Sequence, residues 1–367
     1  MTKDSKEYQI EEYDYPLDTK LIAQTPLKKR DSARLLVIHN NKSDKKADYS
    51  LEHKKFKNIA EYFSAGDVLV VNETKVAPAA IRGKKSTGAV CEIIILGKAG
   101  KNNSEESSNN YLCKVKATNP RVGNNLEFPH GLTAEIVGQT EDDFTLRFNK
   151  KAEEVEEYMH KYGKLPIPYY IKKEVKDYSL YQTVFASEEK KGSIAAPTAA
   201  LHFTSKLMGE LRKKGVKIVA LNLKLGFESF KPVRCSDVRE HKMHGEYYEV
   251  PEETALAINQ RKGRLFVVGT TSLRVLETAA DNDGQVKAGT GLSQIYIYPG
   301  CKFKNKIDGF ITNFHLPKTT MFILVAAMVG TERLKEVYAI AQREKYRLYS
   351  FGDGMMVLNE NSPSEKN

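Results

Sequence analysis

The feature of this 367-residue chain that most restricts its fold is a change of hydrophobic rhythm between Val76 and Lys150. Within it, short β-prone runs at 89–96, 111–117, 134–137 and 144–148 follow one another with no helical periodicity between them. Short strands joined only by turns are expected to close into a small barrel or sandwich, which limits their unpaired edges. The rhythm on either side is different. Upstream, Arg34-Leu-Leu-Val-Ile38 reads as a strand that turns through a polar segment into a return strand near His53. Helical spacing at Phe56, Ile59, Ala60 and Phe63 follows, ended by Gly66, and then a strand at 68–71. Downstream, helices at 205–214, 251–261, 272–280, 320–329 and 332–344 alternate with strands at 216–225, 265–268, 294–297 and 310–312. Alternation of this kind predicts a largely parallel sheet covered on both faces. The expected architecture is a doubly wound α/β domain formed by 1–75 and 151–367, with an inserted small β-barrel domain at 76–150. The Ser-, Asn- and Glu-rich run 100–110 reads as a solvated loop of the insertion.

Composition removes several function classes. The 19 Tyr and 15 Phe supply large core side chains and rule out wholesale disorder. Cys91, Cys113, Cys235 and Cys301 are far apart and form no C-x-x-C pair, so neither a disulfide framework nor a zinc ribbon is expected. The first ten residues are polar, and the apolar run 321–329 is half the length that crosses a bilayer, so a cytoplasmic protein without a membrane span is expected. No G-x-S-x-G elbow, Walker A loop or G-x-G-x-x-G turn is present, which disfavours covalent hydrolases and dinucleotide enzymes. The net charge of +10 falls mostly after residue 150 and is compatible with a polyanionic partner or with solubility alone.

In open α/β sheets ligands bind beyond the carboxyl ends of the strands, so the residues that follow each strand carry the most information. Leu265-Phe-Val-Val-Gly269 runs directly into Thr270, Thr271 and, one turn later, Arg274. A glycine turn and hydroxyls at a helix N-terminus bind phosphate or carboxylate. Helix capping by Thr270 or Thr271 is the structural alternative. A second tip, Ile311-Thr-Asn313-Phe-His315-Leu-Pro317-Lys318, places an amide, an imidazole and an ammonium after a buried strand. The smooth segment Ala195-Ala-Pro197-Thr198-Ala-Ala-Leu-His202 lets backbone approach a flat ligand such as a nucleoside, or serves close packing. His241-Lys-Met-His244-Gly-Glu246 is either an acid/base cluster or part of a metal site that would need a distant third ligand.

Taken together these segments resemble one family, the S-adenosylmethionine:tRNA ribosyltransferase-isomerases of queuosine biosynthesis. The resemblance opens with Tyr15-Pro-Leu, Leu21-Ile-Ala-Gln24-Thr-Pro26 and Arg30-Asp-Ser32-Ala-Arg34, and continues in Gly66-Asp67 through Asn72-Glu-Thr74 to Pro78. Ala195 to Phe203, His241-x-Met243-His244-x-Glu246, Gly269-Thr-Thr271-x-x-Arg274, Thr312-Asn313-Phe314-His315-Leu316-Pro317 and Phe351-Gly352-Asp353 complete it in order.

The resemblance implies an α/β domain with an inserted barrel. It also implies transfer and isomerisation of the ribosyl part of S-adenosylmethionine onto 7-aminomethyl-7-deazaguanine at the tRNA wobble position, giving epoxyqueuosine, adenine and methionine. S-adenosylmethionine is then a consumed substrate and no separate cofactor or metal is called for. Partners would be S-adenosylmethionine and a tRNA with a queuosine-type anticodon, with a monomer as the working expectation. Such chemistry needs a base beside the sulfonium, an acid for departing adenine and oxygen-binding donors. His202, His244, Glu246 and His315 are the candidate catalytic residues. Asn72, Thr74, Thr198, Thr270, Thr271, Arg274, Asn313 and Lys318 are the candidate binding residues. The chain departs from the family pattern at Lys224, where a histidine is expected, and at Glu228, where a glycine is expected. Ala200 and Gly354 are smaller departures. An altered paralogue and a His/Glu metal enzyme are the alternative readings.

Overall fold

The computed structural model describes residues 6–41, 49–99, 109–173, 175, 177–226 and 232–360, and resolves two compact units. The first, Met1–Lys75 with Pro168–Asn367, is built on a nine-stranded mixed sheet. Its order is Gly289–Ser293, Glu246–Val250, Lys217–Leu223, Val68–Asn72, Leu265–Val268, Gly309–Asn313, Gly354–Glu360, Arg34–Asn41 and Tyr49–Lys55. The central strands Lys217–Leu223, Val68–Asn72, Leu265–Val268 and Gly309–Asn313 are mutually parallel. Their carboxyl ends therefore share one edge. Antiparallel pairs flank this centre, so the sheet is less parallel than the alternation of elements predicts.

Val68–Asn72 and Leu265–Val268 are buried along their whole length, as expected for strands covered on both faces. One face presents Leu69, Val71, Phe266 and Val268 to Phe56, Phe203, Leu207 and Leu211. The helix Gly269–Ala279 packs against the four central strands. Gly309 sits opposite Phe266 in the ladder, and a Cβ there would meet the phenyl ring at 2.2 Å, so only glycine fits. The expected helices at 205–214, 251–261, 320–329 and 332–344 appear as Ser205–Lys213, Glu252–Asn259, Thr320–Val329 and Thr331–Arg343. The segment after Phe56 is a 3-10 helix, Phe56–Tyr62. The strand expected at 294–297 is displaced to Gly289–Ser293, the backbone that pairs with Glu246–Val250. Residues 295–297 are left to form a wall described below.

The second unit, Val76–Ile167, is a closed six-stranded antiparallel barrel. Its strands are Ala80–Lys85, Val90–Lys98, Asn110–Ala117, Asn125–Glu127, Thr133–Gln139 and Phe144–Phe148. Alternate residues Cys91 and Ile93, Tyr111 and Cys113, Ala134 and Ile136, and Leu146 and Phe148 fill it. The strands Ala80–Lys85 and Asn125–Glu127 escape sequence reading because the first is largely basic and the second has three residues. The unit runs past the expected end at Lys150, since Val155, Tyr158 and Met159 of the helix Ala152–Tyr162 join its core. The loop expected at 100–110 falls mostly outside the described residues. Cys91, Cys113, Cys235 and Cys301 are free thiols. Among the described residues no helix is long and apolar enough to cross a membrane.

Candidate active site

A cleft opens at the carboxyl ends of the central strands of the sheet unit. The segment Ala195–Ala199 and Leu225 form one side, and Ile295, Tyr296 and Ile297 another. Met321 and Leu324 of the following helix add apolar surface.

The tip of Leu265–Val268 supplies the polar floor. Gly269 adopts φ 83°, and the helix Gly269–Ala279 starts at that residue, earlier than the helical spacing predicts. Neither Thr270 nor Thr271 is the N-cap, which is Val268 and offers no side chain bond. Thr270, Thr271 and Arg274 all line the cleft instead. Arg274 is 7% exposed, and its Nη1 donates to Glu246 Oε2 at 2.6 Å. Glu246 Oε1 accepts the Gly226 N–H at 2.9 Å. Among the described residues Arg274 Nε and Nη2 and Thr271 Oγ1 are buried with no hydrogen-bond partner. A buried donor left unpaired costs about 1–3 kcal/mol, so these groups are held against a local penalty.

The tip of Gly309–Asn313 carries one imidazole, and the 3-10 helix Thr198–His202 brings a second against it. His315 lines the cleft, with Nε2 3.1 Å from Thr312 Oγ1 and Nδ1 buried without a partner. Its backbone N–H donates to Tyr338 Oη at 2.9 Å, and its carbonyl accepts from Tyr15 Oη. Burial pushes the imidazole down to about 3 from its ordinary 6.5, so the ring is neutral at pH 7. His202 lies behind Asn313. Thr198 Oγ1 donates to Asn313 Oδ1 at 2.9 Å, and Asn313 Nδ2 donates to His202 Nε2 at 3.2 Å. Burial, then the positive charges of Arg347 and Arg30, push His202 down to about 4, opposed by a hydrogen bond to the Arg30 backbone. His202 does not line the cleft; it bonds the Asn313 amide that does.

A family profile described as queuosine biosynthesis protein matches residues 10–357. The S-adenosylmethionine:tRNA ribosyltransferase-isomerase of Desulforamulus reducens is 42% identical over 95% of this chain and 100% of its own length. That of Carboxydothermus hydrogenoformans is 43% identical over 95% of this chain and 99% of its own. The chain belongs to the queuosine biosynthesis protein family. A crystal structure of an S-adenosylmethionine tRNA ribosyltransferase from Thermotoga maritima is 30% identical, covers 95% of this chain and 100% of that chain, and superposes with a TM-score of 0.50.

In this queuosine family member the structure gathers Thr198, Thr270, Thr271, Arg274, Asn313 and His315 around one cleft, with Glu246 and His202 immediately behind. Four candidates lie elsewhere. Asn72 is fully buried, with Oδ1 accepting from Thr74 N and Leu223 N and Nδ2 donating to Leu223 O. Thr74 Oγ1 pairs with Ser193 Oγ at 2.6 Å. Lys318 bonds Asp14 at 3.1 Å. His244 is exposed, while its neighbour Met243 lines the cleft. Glu246 stands on a strand and is bound to Arg274 and to the Gly226 N–H. Among the described residues no group of three His, Cys, Asp or Glu side chains is placed to hold a metal ion.

Lys224 is exposed, its side chain passing Gly192, and it does not line the cleft. Glu228 lies outside the described residues. Sequence reading missed Thr312, which orients the His315 ring, and Tyr15 and Tyr338, which anchor its backbone. Thr312 and Tyr15 had a sequence signal, since both stand inside segments of the family resemblance, and Tyr338 had none.

Proposed function

We propose that this chain is an S-adenosylmethionine:tRNA ribosyltransferase-isomerase that acts on 7-aminomethyl-7-deazaguanine at the tRNA wobble position. It yields epoxyqueuosine, adenine and methionine in the cytoplasm. The observation that carries this reading is the cleft at the parallel strand ends, lined together by a buried arginine with open donors, a neutral histidine and a segment of small residues, in a chain of this family. S-adenosylmethionine is consumed, and no further cofactor enters the scheme.

The reaction begins with loss of a proton from carbon beside the sulfonium, whose charge acidifies that C–H. His315 is the cleft group suited to take it. In the tautomer that donates Nε2–H to Thr312, its Nδ1 lone pair is unengaged. Its depressed basicity keeps it unprotonated before substrate arrives. Asn313, oriented by His202 and Thr198, offers its amide to a ribosyl oxygen or the adenine edge. Arg274 holds an anionic group of the substrate. The flat Ala195–Ala199 ledge accommodates a nucleoside face, and the target base reaches the cleft by leaving its stack in the anticodon loop.

Incubation with S-adenosylmethionine and tRNA carrying the aminomethyl deazaguanine base should release adenine and leave the epoxide-bearing nucleoside in the tRNA digest. Absence of both products under all buffer conditions overturns the reading.

A further inference from the structure

We infer that the Nε–Nη2 edge of Arg274, together with the N-terminus of the helix Gly269–Ala279, is the subsite for the carboxylate of S-adenosylmethionine. This assignment rests on the function proposed above and names which part of the substrate this corner of the cleft takes. A guanidinium has two ways to grip a carboxylate with paired, parallel N–H groups, and one is the side formed by Nε and Nη2. In Arg274 these are the two nitrogens without a partner, while Nη1 is occupied by Glu246. Glu246 is itself anchored by the Gly226 N–H, so the guanidinium plane is fixed before any ligand arrives. The arrangement leaves one two-pronged edge free, and the residue that carries it lines the cleft while being 93% buried (7% exposed).

The helix adds a second, independent contribution. It begins at Gly269 without a side-chain cap, so its first N–H groups and their partial positive charge meet the cleft at Gly269 to Thr271. Thr271 Oγ1, buried and without a partner, lies in the same turn.

A small-molecule carboxylate fits this corner better than an RNA phosphate. Cations that track a nucleic-acid backbone are solvent-exposed and numerous, whereas Arg274 is buried and already ion-paired with Glu246. Met243, Ile295 and Ile297 line the same cleft and offer apolar surface to a methylene chain leading away from the carboxylate.

The test is a comparison of two nucleosides across three proteins. Wild type, Arg274→Gln and Arg274→Lys are assayed for adenine release with S-adenosylmethionine and with its decarboxylated analogue, the latter as substrate or, where it is not turned over, as competitive inhibitor. Removing the two-pronged edge should lower kcat/KM for S-adenosylmethionine by about 100-fold in Arg274→Gln, and by about 10-fold in Arg274→Lys, which keeps only the charge. The decarboxylated analogue should be handled by all three proteins within about threefold, and the KM for tRNA should not move. Equal losses with both nucleosides would assign Arg274 a merely structural role. A raised KM for tRNA with unchanged use of S-adenosylmethionine would assign it to a phosphate. Either result overturns the carboxylate subsite. If wild type releases no adenine at all, the functional reading fails by itself. Titration of S-adenosylhomocysteine against wild type and Arg274→Gln then decides the subsite separately, with equal affinities overturning it.

Discussion

Two neighbouring parallel strands, Val68–Asn72 and Leu265–Val268, end side by side at the same edge of the sheet and finish in opposite ways. At the first, the side chains of Asn72 and Thr74 are engaged by Leu223, Ser193, Lys190 and each other. At the second, Thr271, Ser272 and Arg274 keep buried donors with no partner among the described residues. The first tip fastens neighbouring strands, whereas the second brings the unpartnered groups of Thr271 and Arg274 to the cleft. Position at a strand end and polar composition are alike in both; whether the polar groups are already satisfied separates them. The third tip, Gly309–Asn313, is intermediate. Its Asn313 is held on both sides, and its His315 keeps one open nitrogen.

The contrast can be broken by mutation. The largest expected effect is from His315→Gln, which removes the open imidazole nitrogen and should lower kcat by about 100-fold or more while leaving the KM for tRNA unchanged. Next, Arg274→Ala and Asn72→Ala should separate cleanly. The first loses roughly 100-fold in kcat/KM because two charge-assisted bonds to the ligand vanish. The second keeps near-normal activity per folded molecule but loses about 2–3 kcal/mol in urea unfolding, because buried groups of Leu223 and Thr74 lose their partner. A large catalytic loss in Asn72→Ala at normal stability would erase the distinction.

Smaller effects sharpen the intermediate tip. His202→Asn should lower kcat/KM about tenfold through misplacement of Asn313, with an unchanged pH profile, since His202 is held near 4 and does not titrate in the working range. Both buried histidines also affect stability. Their folded values, about 4 and about 3, lie below the ordinary 6.5, so between those limits the unfolded chain binds more protons. Stability is then complete above about pH 6.5 and falls as pH drops toward 4. Replacing either histidine with a neutral residue should flatten that fall by roughly 2 kcal/mol between pH 6.5 and 4.5 in denaturant titrations. The smallest effect is expected for Lys224→His. Lys224 is exposed beside Gly192 and does not line the cleft, so kcat/KM should change by less than about threefold.

Much of the architecture was readable from the sequence because hydrophobic period reports burial directly. Leu265–Val268 is continuously apolar and central; Cys91, Ile93, Tyr111 and Cys113 alternate and face a barrel interior. Elements whose identity depends on their partners were not readable. Ala80–Lys85 is a basic run that becomes a strand by closing the barrel, and Gly289–Ser293 becomes one by pairing with Glu246–Val250. The same limit governs the site. Residue types and strand ends pointed to Arg274, Asn313 and His315 but also to Lys318, and the family resemblance added Asn72 and Thr74; the groups of these last three turn out to be engaged. Hydrogen-bond satisfaction is a three-dimensional property, and Leu223, Ser193 and Asp14 are too far along the chain from those residues for any local motif to announce it.

The contrast between the two tips can be measured by hydrogen exchange of wild-type protein with and without S-adenosylmethionine in the presence of substrate tRNA. Amides at 269–274 should gain protection when the nucleoside binds, while those at 72–74, already closed by internal bonds, should exchange at an unchanged rate. Protection confined to 72–74, or none at 269–274 under saturating S-adenosylmethionine, would contradict the account.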